Sequence, residues 1–156
     1  MESSAPARVL IVAHKTAATP ALLDAVRKRA TAGPAVFTLL VPNVTHGLHR
    51  VVDAEDVAET EAQMVLDLAL PLLSDAVGAE VQAMIGDANP LDAVQDAINV
   101  QGCDEIIIST LSARMSRWLK MDLPSKLKGL GLPVTVVTAP GAADAAGTGA
   151  ETGAAP

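Results

Sequence analysis

Apolar residues in this chain come in short unbroken runs, separated by stretches in which they recur every three or four positions. That is the rhythm of buried strands alternating with amphipathic helices. Five runs have strand length: residues 8–13 (RVLIVA), 35–41 (AVFTLLV), 80–85 (EVQAMI), 103–109 (CDEIIIS) and 133–138 (PVTVVT), here β1 to β5. After β1, Thr19 suits an N-cap with Pro20 at the first helical position, and Leu22, Leu23 and Val26 supply an apolar stripe. Arg27, Lys28 and Arg29 then sit where a helix C-terminus favours cations, ahead of Gly33-Pro34. Between β2 and β3 an acid-rich helix over about 53–77 carries Val57, Met64, Val65, Leu68, Leu72 and Leu73, with Pro71 expected to kink or split it. Asn89 and Pro90 repeat the cap-and-proline start after β3, and Leu91, Val94, Ala97 and Ile98 form the buried stripe of the helix that Gly102 ends. A short helix from Asp122 or Pro124 to Lys128 precedes β5.

The order strand, helix, strand repeated to a fifth strand, with right-handed crossovers, implies an α/β fold, a five-stranded, mostly parallel sheet with helices on both faces, for which the expected strand order is 3-2-1-4-5. The length of 156 residues suits one domain over 7–139, after a flexible start at 1–6. Residues 140–156 are Gly, Ala, Pro, Thr and two acids, too little apolar material to offset ordering entropy, and are expected to be disordered. Open sheets of this type bind ligands beyond the carboxyl ends of their strands, where strand order reverses. With the order 3-2-1-4-5, the loops after β1 and β4 meet there.

Composition narrows the function classes. Half the residues are apolar, but Phe37 and Trp118 are the only aromatics, which leaves nothing to build a base-stacking nucleic-acid surface. A net charge of −7 disfavours nucleic acid and anionic membrane alike. The single Cys103 excludes an internal disulfide and a cysteine-based zinc site, and without a secretory signal or long apolar span the expected location is cytoplasmic. Charge is segregated: residues 51–113 hold thirteen acids and no Lys or Arg, whereas 114–128 holds Arg114, Arg117, Lys120, Lys126 and Lys128 against Asp122 alone. Topology and charge thus bring His14, Lys15 and Thr16 to the same mouth as Arg114 and Arg117.

An apolar β1 with a short polar loop, Gly86-Asp87-Ala88-Asn89-Pro90 after β3, and the run from Cys103 through Thr138 resemble the universal stress protein family over roughly residues 8–139. Nucleotide-binding members carry, after β4, Gly, two residues, Gly, nine residues, then Gly-Ser or Gly-Thr. The same spacing here reads Ser109, two residues, Ser112, nine residues, Asp122-Leu123, so every glycine is replaced. Those glycines permit positive φ and close backbone approach to phosphates, and Asp122 puts a carboxylate in their place. The family's acidic residue after β1 corresponds to His14. The resemblance implies a non-enzymatic stress-response adaptor with no catalytic residues, acting by binding a protein partner or small anionic metabolite. It implies a homodimer through the strand 133–138. The alternative is a nucleotide-binding switch or weak ATPase taking ATP or AMP. Candidate ligand-binding residues are His14, Lys15, Thr16, Val41, Gly86, Asp87, Ser109, Thr110, Ser112, Arg114, Arg117 and Asp122.

Other motifs carry less. His46, His49 and Asp53 form no recognisable metal signature, and none is expected. His46-Gly47-Leu48-His49 follows β2 and has the wrong order for a nucleotidyltransferase; no serine lies in a Gly-x-Ser-x-Gly elbow. Ser109, Thr110 and Ser112 are read as satisfying loop backbone, Trp118 as a loop anchor or dimer contact, Cys103 as packing, and Gly86 as a turn residue needing conformational freedom.

Overall fold

The computed structural model describes residues 5–43, 54–111, 118 and 121–139. The expectations for 1–4, for the His46–Asp53 group and for 140–156 lie outside them. Within them the chain runs β1 (Ala7–Val12), α1 (Pro20–Ala32), β2 (Ala35–Pro42), α2 (Ala54–Val77), β3 (Gln82–Gly86), α3 (Pro90–Gln101), β4 (Glu105–Leu111), α4 (Leu123–Lys128) and β5 (Val134–Ala139). The five strands form one sheet in the order β3-β2-β1-β4-β5, and every pairing is parallel.

Alternate residues of a strand point to opposite faces, and the core divides accordingly. Val9 and Ile11 of β1, with Phe37, Leu39 and Val41 of β2, pack against Leu22 and Val26 of α1 and Ala62, Leu66, Ala69 and Leu73 of α2. Leu10, Val12, Leu40, Ile106 and Ile108 face the other way, onto Ala93, Val94 and Ala97 of α3 and Leu123 and Leu127 of α4. Trp118 packs, half-buried, against this second cluster.

Both caps form as their residue types require. Thr19 Oγ1 accepts from the Leu22 amide at 3.4 Å, and Asn89 Oδ1 accepts from the amides of Leu91 at 2.9 Å and Asp92 at 3.3 Å. Pro71 neither splits nor ends α2, which is helical from Ala54 to Val77. Buried Leu66 and Ala69 before the proline and Leu73 after it hold both halves to the same surface, and tertiary packing of that kind outweighs local propensity. The apolar stripe of α2 also differs from the sequence reading. Ala62, Leu66, Ala69 and Leu73 are buried, whereas Met64, Leu68 and Leu72 are 63%, 66% and 43% exposed. Val57 lies outside the described side chains. Strand edges shift slightly: β3 extends through Gly86, and Cys103 lies before β4, half-buried, with its thiol donating to the Glu105 carbonyl at 3.2 Å. Burial pushes that thiol above its ordinary pKa, which favours the unreactive protonated form.

Two arginines fasten the amino-terminal end of the sheet. Arg29, in the last turn of α1, donates from Nε and Nη2 to both Glu105 oxygens at 2.9 Å, and from Nη1 to the Gly33 carbonyl at 3.3 Å. Arg8 reaches both oxygens of Asp104 at 3.2 Å, and its amide donates to Asp104 Oδ2 at 2.7 Å. These bonds, the side-chain pair first, hold the Asp104 carboxyl below the usual carboxylate range. A depressed carboxylate contributes stability above its unfolded pKa, which is lost as pH falls through the folded value. Asp104→Asn is therefore expected to flatten the acid limb of a urea-midpoint profile between about pH 5 and pH 2, and an unchanged limb would show the pair to be idle.

Candidate functional site

Register sets the carboxyl ends of the central strands side by side. Val12 is level with Leu40 and with Ile108, and Pro42 is level with Gly86. Strand order reverses between β1 and β4, so His14 to Thr16 and Ser109 to Leu111 flank the crevice where open α/β sheets take ligands. A turn after β1 is closed by the amides of Ala17 and Thr19, which donate to the carbonyls of His14 and Thr16 at 3.2 Å. This turn folds back and delivers Thr16 to β4.

The two loops meet through their hydroxyls. Thr16 Oγ1 and Ser109 Oγ are 2.6 Å apart, and Ser109 Oγ lies 3.4 Å from the Thr16 carbonyl. One allocation of protons satisfies both: Thr16 donates to Ser109, which donates to that carbonyl. Thr16 and Ser109 are 3% and 1% exposed. The third hydroxyl, Thr110, is also buried and donates to the Leu111 carbonyl at 2.9 Å. These hydroxyls therefore close the crevice with bonds to the protein itself.

The remaining candidates are spread around the rim. His14 is buried beside this turn, while Lys15 is exposed. Val41 is fully buried in the core on the α1–α2 face. Asp87 accepts from the Asn89 amide at 2.8 Å, a local turn that leads into the α3 cap. Asp122 precedes α4 with φ 59°, the only described non-glycine residue in the left-handed region, and its side chain caps nothing. The backbone shape that a glycine would favour thus persists under an aspartate. Ser112, Arg114 and Arg117 lie outside the described residues.

Gly86 is constrained by space, not by φ. It ends β3, and a Cβ added there would stand 2.7 Å from the Ala93 Cβ and 2.9 Å from Leu40 Cδ1. The missing side chain lets α3 lie close on the sheet. Sequence reading overlooked Asn43. Its amide donates to the Gly86 carbonyl at 2.9 Å, while its Oδ1 is buried at this rim with no hydrogen-bond partner among the described residues. Its position directly after β2 was the available signal.

A hollow of about 890 Å³ opens at the opposite, amino-terminal end of the sheet, lined by Arg8, Arg29, Pro34, Asp104 and Glu105 among others. Each guanidinium there is already held by a carboxylate, so the hollow offers an anion no unpaired arginine.

The solved structure of a protein from the universal stress protein family of Burkholderia pseudomallei superposes with a TM-score of 0.58. The match covers 88% of this chain and 100% of that one, at 17% identity. This chain has the universal stress protein fold. In that fold the β1–β4 crevice described above is the switch point of the sheet. A lipopolysaccharide core biosynthesis protein from Thermoplasma volcanium GSS1 also aligns, at 17% identity and a TM-score of 0.43, over 86% of this chain and 96% of that one. No family model and no curated protein matches the sequence. Among the described residues, no helix is long and apolar enough to cross a membrane.

Proposed function

We propose that this chain is a divergent universal stress protein acting as a non-enzymatic stress-response adaptor, one that works by binding and assembles as a homodimer through β5. The observation that carries the reading is the Thr16–Ser109 contact. Hydroxyls at the switch point that would face an anion are bonded to each other and to the backbone instead. The carboxylate of Asp122, at the family's glycine position, opposes phosphate by like charge. For the dimer, β5 is an edge of the sheet and Val136 on it is 39% exposed, an arrangement that soluble proteins cover or pair.

A second reading, a switch that takes ATP or AMP, has one observation in its favour. The buried Asn43 Oδ1 at the same rim is an acceptor that a ligand N–H would satisfy. Calorimetric titration with ATP, ADP and AMP separates the two. The adaptor reading expects no saturable heat, together with a dimer by size exclusion and light scattering. Micromolar binding abolished by Ser112→Ala and Arg117→Ala would establish the switch. A monomer at micromolar concentration would remove the β5 interface.

A further inference from the structure

The side of α2 turned away from the core carries a reactive group that neither the fold nor the crevice uses. At 100° per residue, Met64 lies about 170° around the helix from the centre of the arc formed by the buried Ala62, Leu66, Ala69 and Leu73. It is 63% exposed against 40% for Met121, while Met84 is half-buried against the second core cluster. Met1 and Met115 lie outside the described residues. A thioether is apolar until a mild oxidant makes it polar, and exposure governs how fast that happens. Aromatic rings can hold and screen a methionine sulfur, but Phe37 lies inside the first core cluster and Trp118 packs against the second. Met64 also begins a row, since Leu68 and Leu72 follow at four-residue intervals and are exposed as well. Its polarity therefore sets the character of one end of that row.

We propose that Met64 is a site of reversible oxidation, at which a peroxide converts the thioether to the sulfoxide and turns this end of the α2 face from apolar to polar while the fold stays intact. The sulfur lone pair attacks the terminal oxygen of a hydroperoxide. An S–O bond forms, the O–O bond breaks, and the proton of that oxygen leaves with the alkoxide as an alcohol, or as water when the oxidant is hydrogen peroxide. Sulfur is oxidised by two electrons and the peroxide is reduced by two. A dithiol reductant reverses the step, giving the thioether, a disulfide and water. Burial decides the structural outcome. At Met64 the new oxygen stands in water, whereas at Met84 it would enter the second core cluster without a partner and loosen it. Cys103 is poorly placed for the same work, because it is half-buried and its thiol donates to the Glu105 carbonyl. The site shares no residue with the crevice or β5, so its failure would leave the nucleotide and dimer tests unaffected.

The test treats the full chain with graded hydrogen peroxide and maps oxidation residue by residue by mass spectrometry of peptides. Melting curves and hydrophobic-interaction chromatography are run on the same samples. Met64 is expected to gain its oxygen several-fold faster than Met84 and ahead of Met121, in the order of their exposure. Column retention should fall as Met64 converts, while the melting temperature holds until Met84 reacts. Met64→Leu should remove that fall, which separates Met64 from every other methionine. Met64→Gln, polar without oxidation, should elute early from the start. Because the side chain is exposed, both variants should keep the wild-type melting temperature. Incubation with the epimer-specific methionine sulfoxide reductases and dithiothreitol should restore retention. Equal rates at Met64 and Met84, or Met121 reacting first, would overturn the proposal on the wild-type chain alone. So would an undiminished fall in retention for Met64→Leu, a melting temperature that drops in step with Met64 conversion, or a sulfoxide that the reductases leave in place.

Discussion

Gly86→Ala should destabilise the protein by about 1–3 kcal/mol, the usual cost of forcing atoms into a packed interior. At about 2–4 °C per kcal/mol, a loss of that size is plain in a melting curve. The added Cβ would meet Ala93 Cβ at 2.7 Å, and that atom is fixed to the backbone of α3 and cannot swing aside. Leu40 Cδ1, at 2.9 Å, can turn but lies inside the second core cluster. The first turn of α3 must therefore lift off the sheet, which disturbs the Asn89 cap and the rim at Asp87. Ala93→Gly, which removes the fixed atom, should recover part of the loss despite the roughly 1 kcal/mol cost of glycine within a helix. Additive effects in the double variant would show that the two residues do not meet, and that Gly86 is retained for another reason.

The second large effect is expected at Thr16 and Ser109. Ser109→Ala leaves the Thr16 hydroxyl buried without its partner, and Thr16→Val leaves Ser109 with only the 3.4 Å bond to the Thr16 carbonyl. Each single change should cost about 1–3 kcal/mol, the penalty of an orphaned buried polar group. The double variant should cost clearly less than the sum, because replacing both partners leaves no orphaned donor. Chemical denaturation of the four proteins gives the coupling directly. No coupling would mean that the hydroxyls do not bond across the loops, which would return them to the pool of ligand contacts and favour the nucleotide switch.

These two sites differ in how far the letters announced them. Strands and helices were legible because their signals are local: apolar runs for β1 and β4, and a capping residue followed by proline at Thr19-Pro20 and Asn89-Pro90. The parallel sheet followed from the alternation of strand and helix, whereas right-handed crossovers alone allow other strand orders; the order 3-2-1-4-5, which the structure bears out, is what makes the β1 and β4 loops meet. The chemistry at that meeting did not. A serine and a threonine 93 residues apart are equally suited to a phosphate and to each other, and only their 2.6 Å separation decides between these uses. Gly86 shows the same limit. Its lack of a side chain is visible in the letters, but a turn and a close helix approach call for the same residue.

Helix α2 marks the boundary most sharply. Apolar residues at Met64, Val65, Leu66, Leu68, Ala69, Leu72 and Leu73 serve two faces, and the sequence alone could not say which row was core. Packing against α1 and the sheet chose Ala62, Leu66, Ala69 and Leu73, leaving Met64, Leu68 and Leu72 to solvent. Likewise Arg8 and Arg29 are committed to Asp104 and Glu105, pairings across the sheet end that the letters do not announce. By itself the sequence determined the elements, their succession along the chain and hence a parallel sheet covered on both faces, because these rest on periodicity, caps and handedness, which act within a few residues. Tertiary structure alone decided which hydroxyls, cations and apolar rows remain available for binding, because availability depends on partners brought from distant parts of the chain.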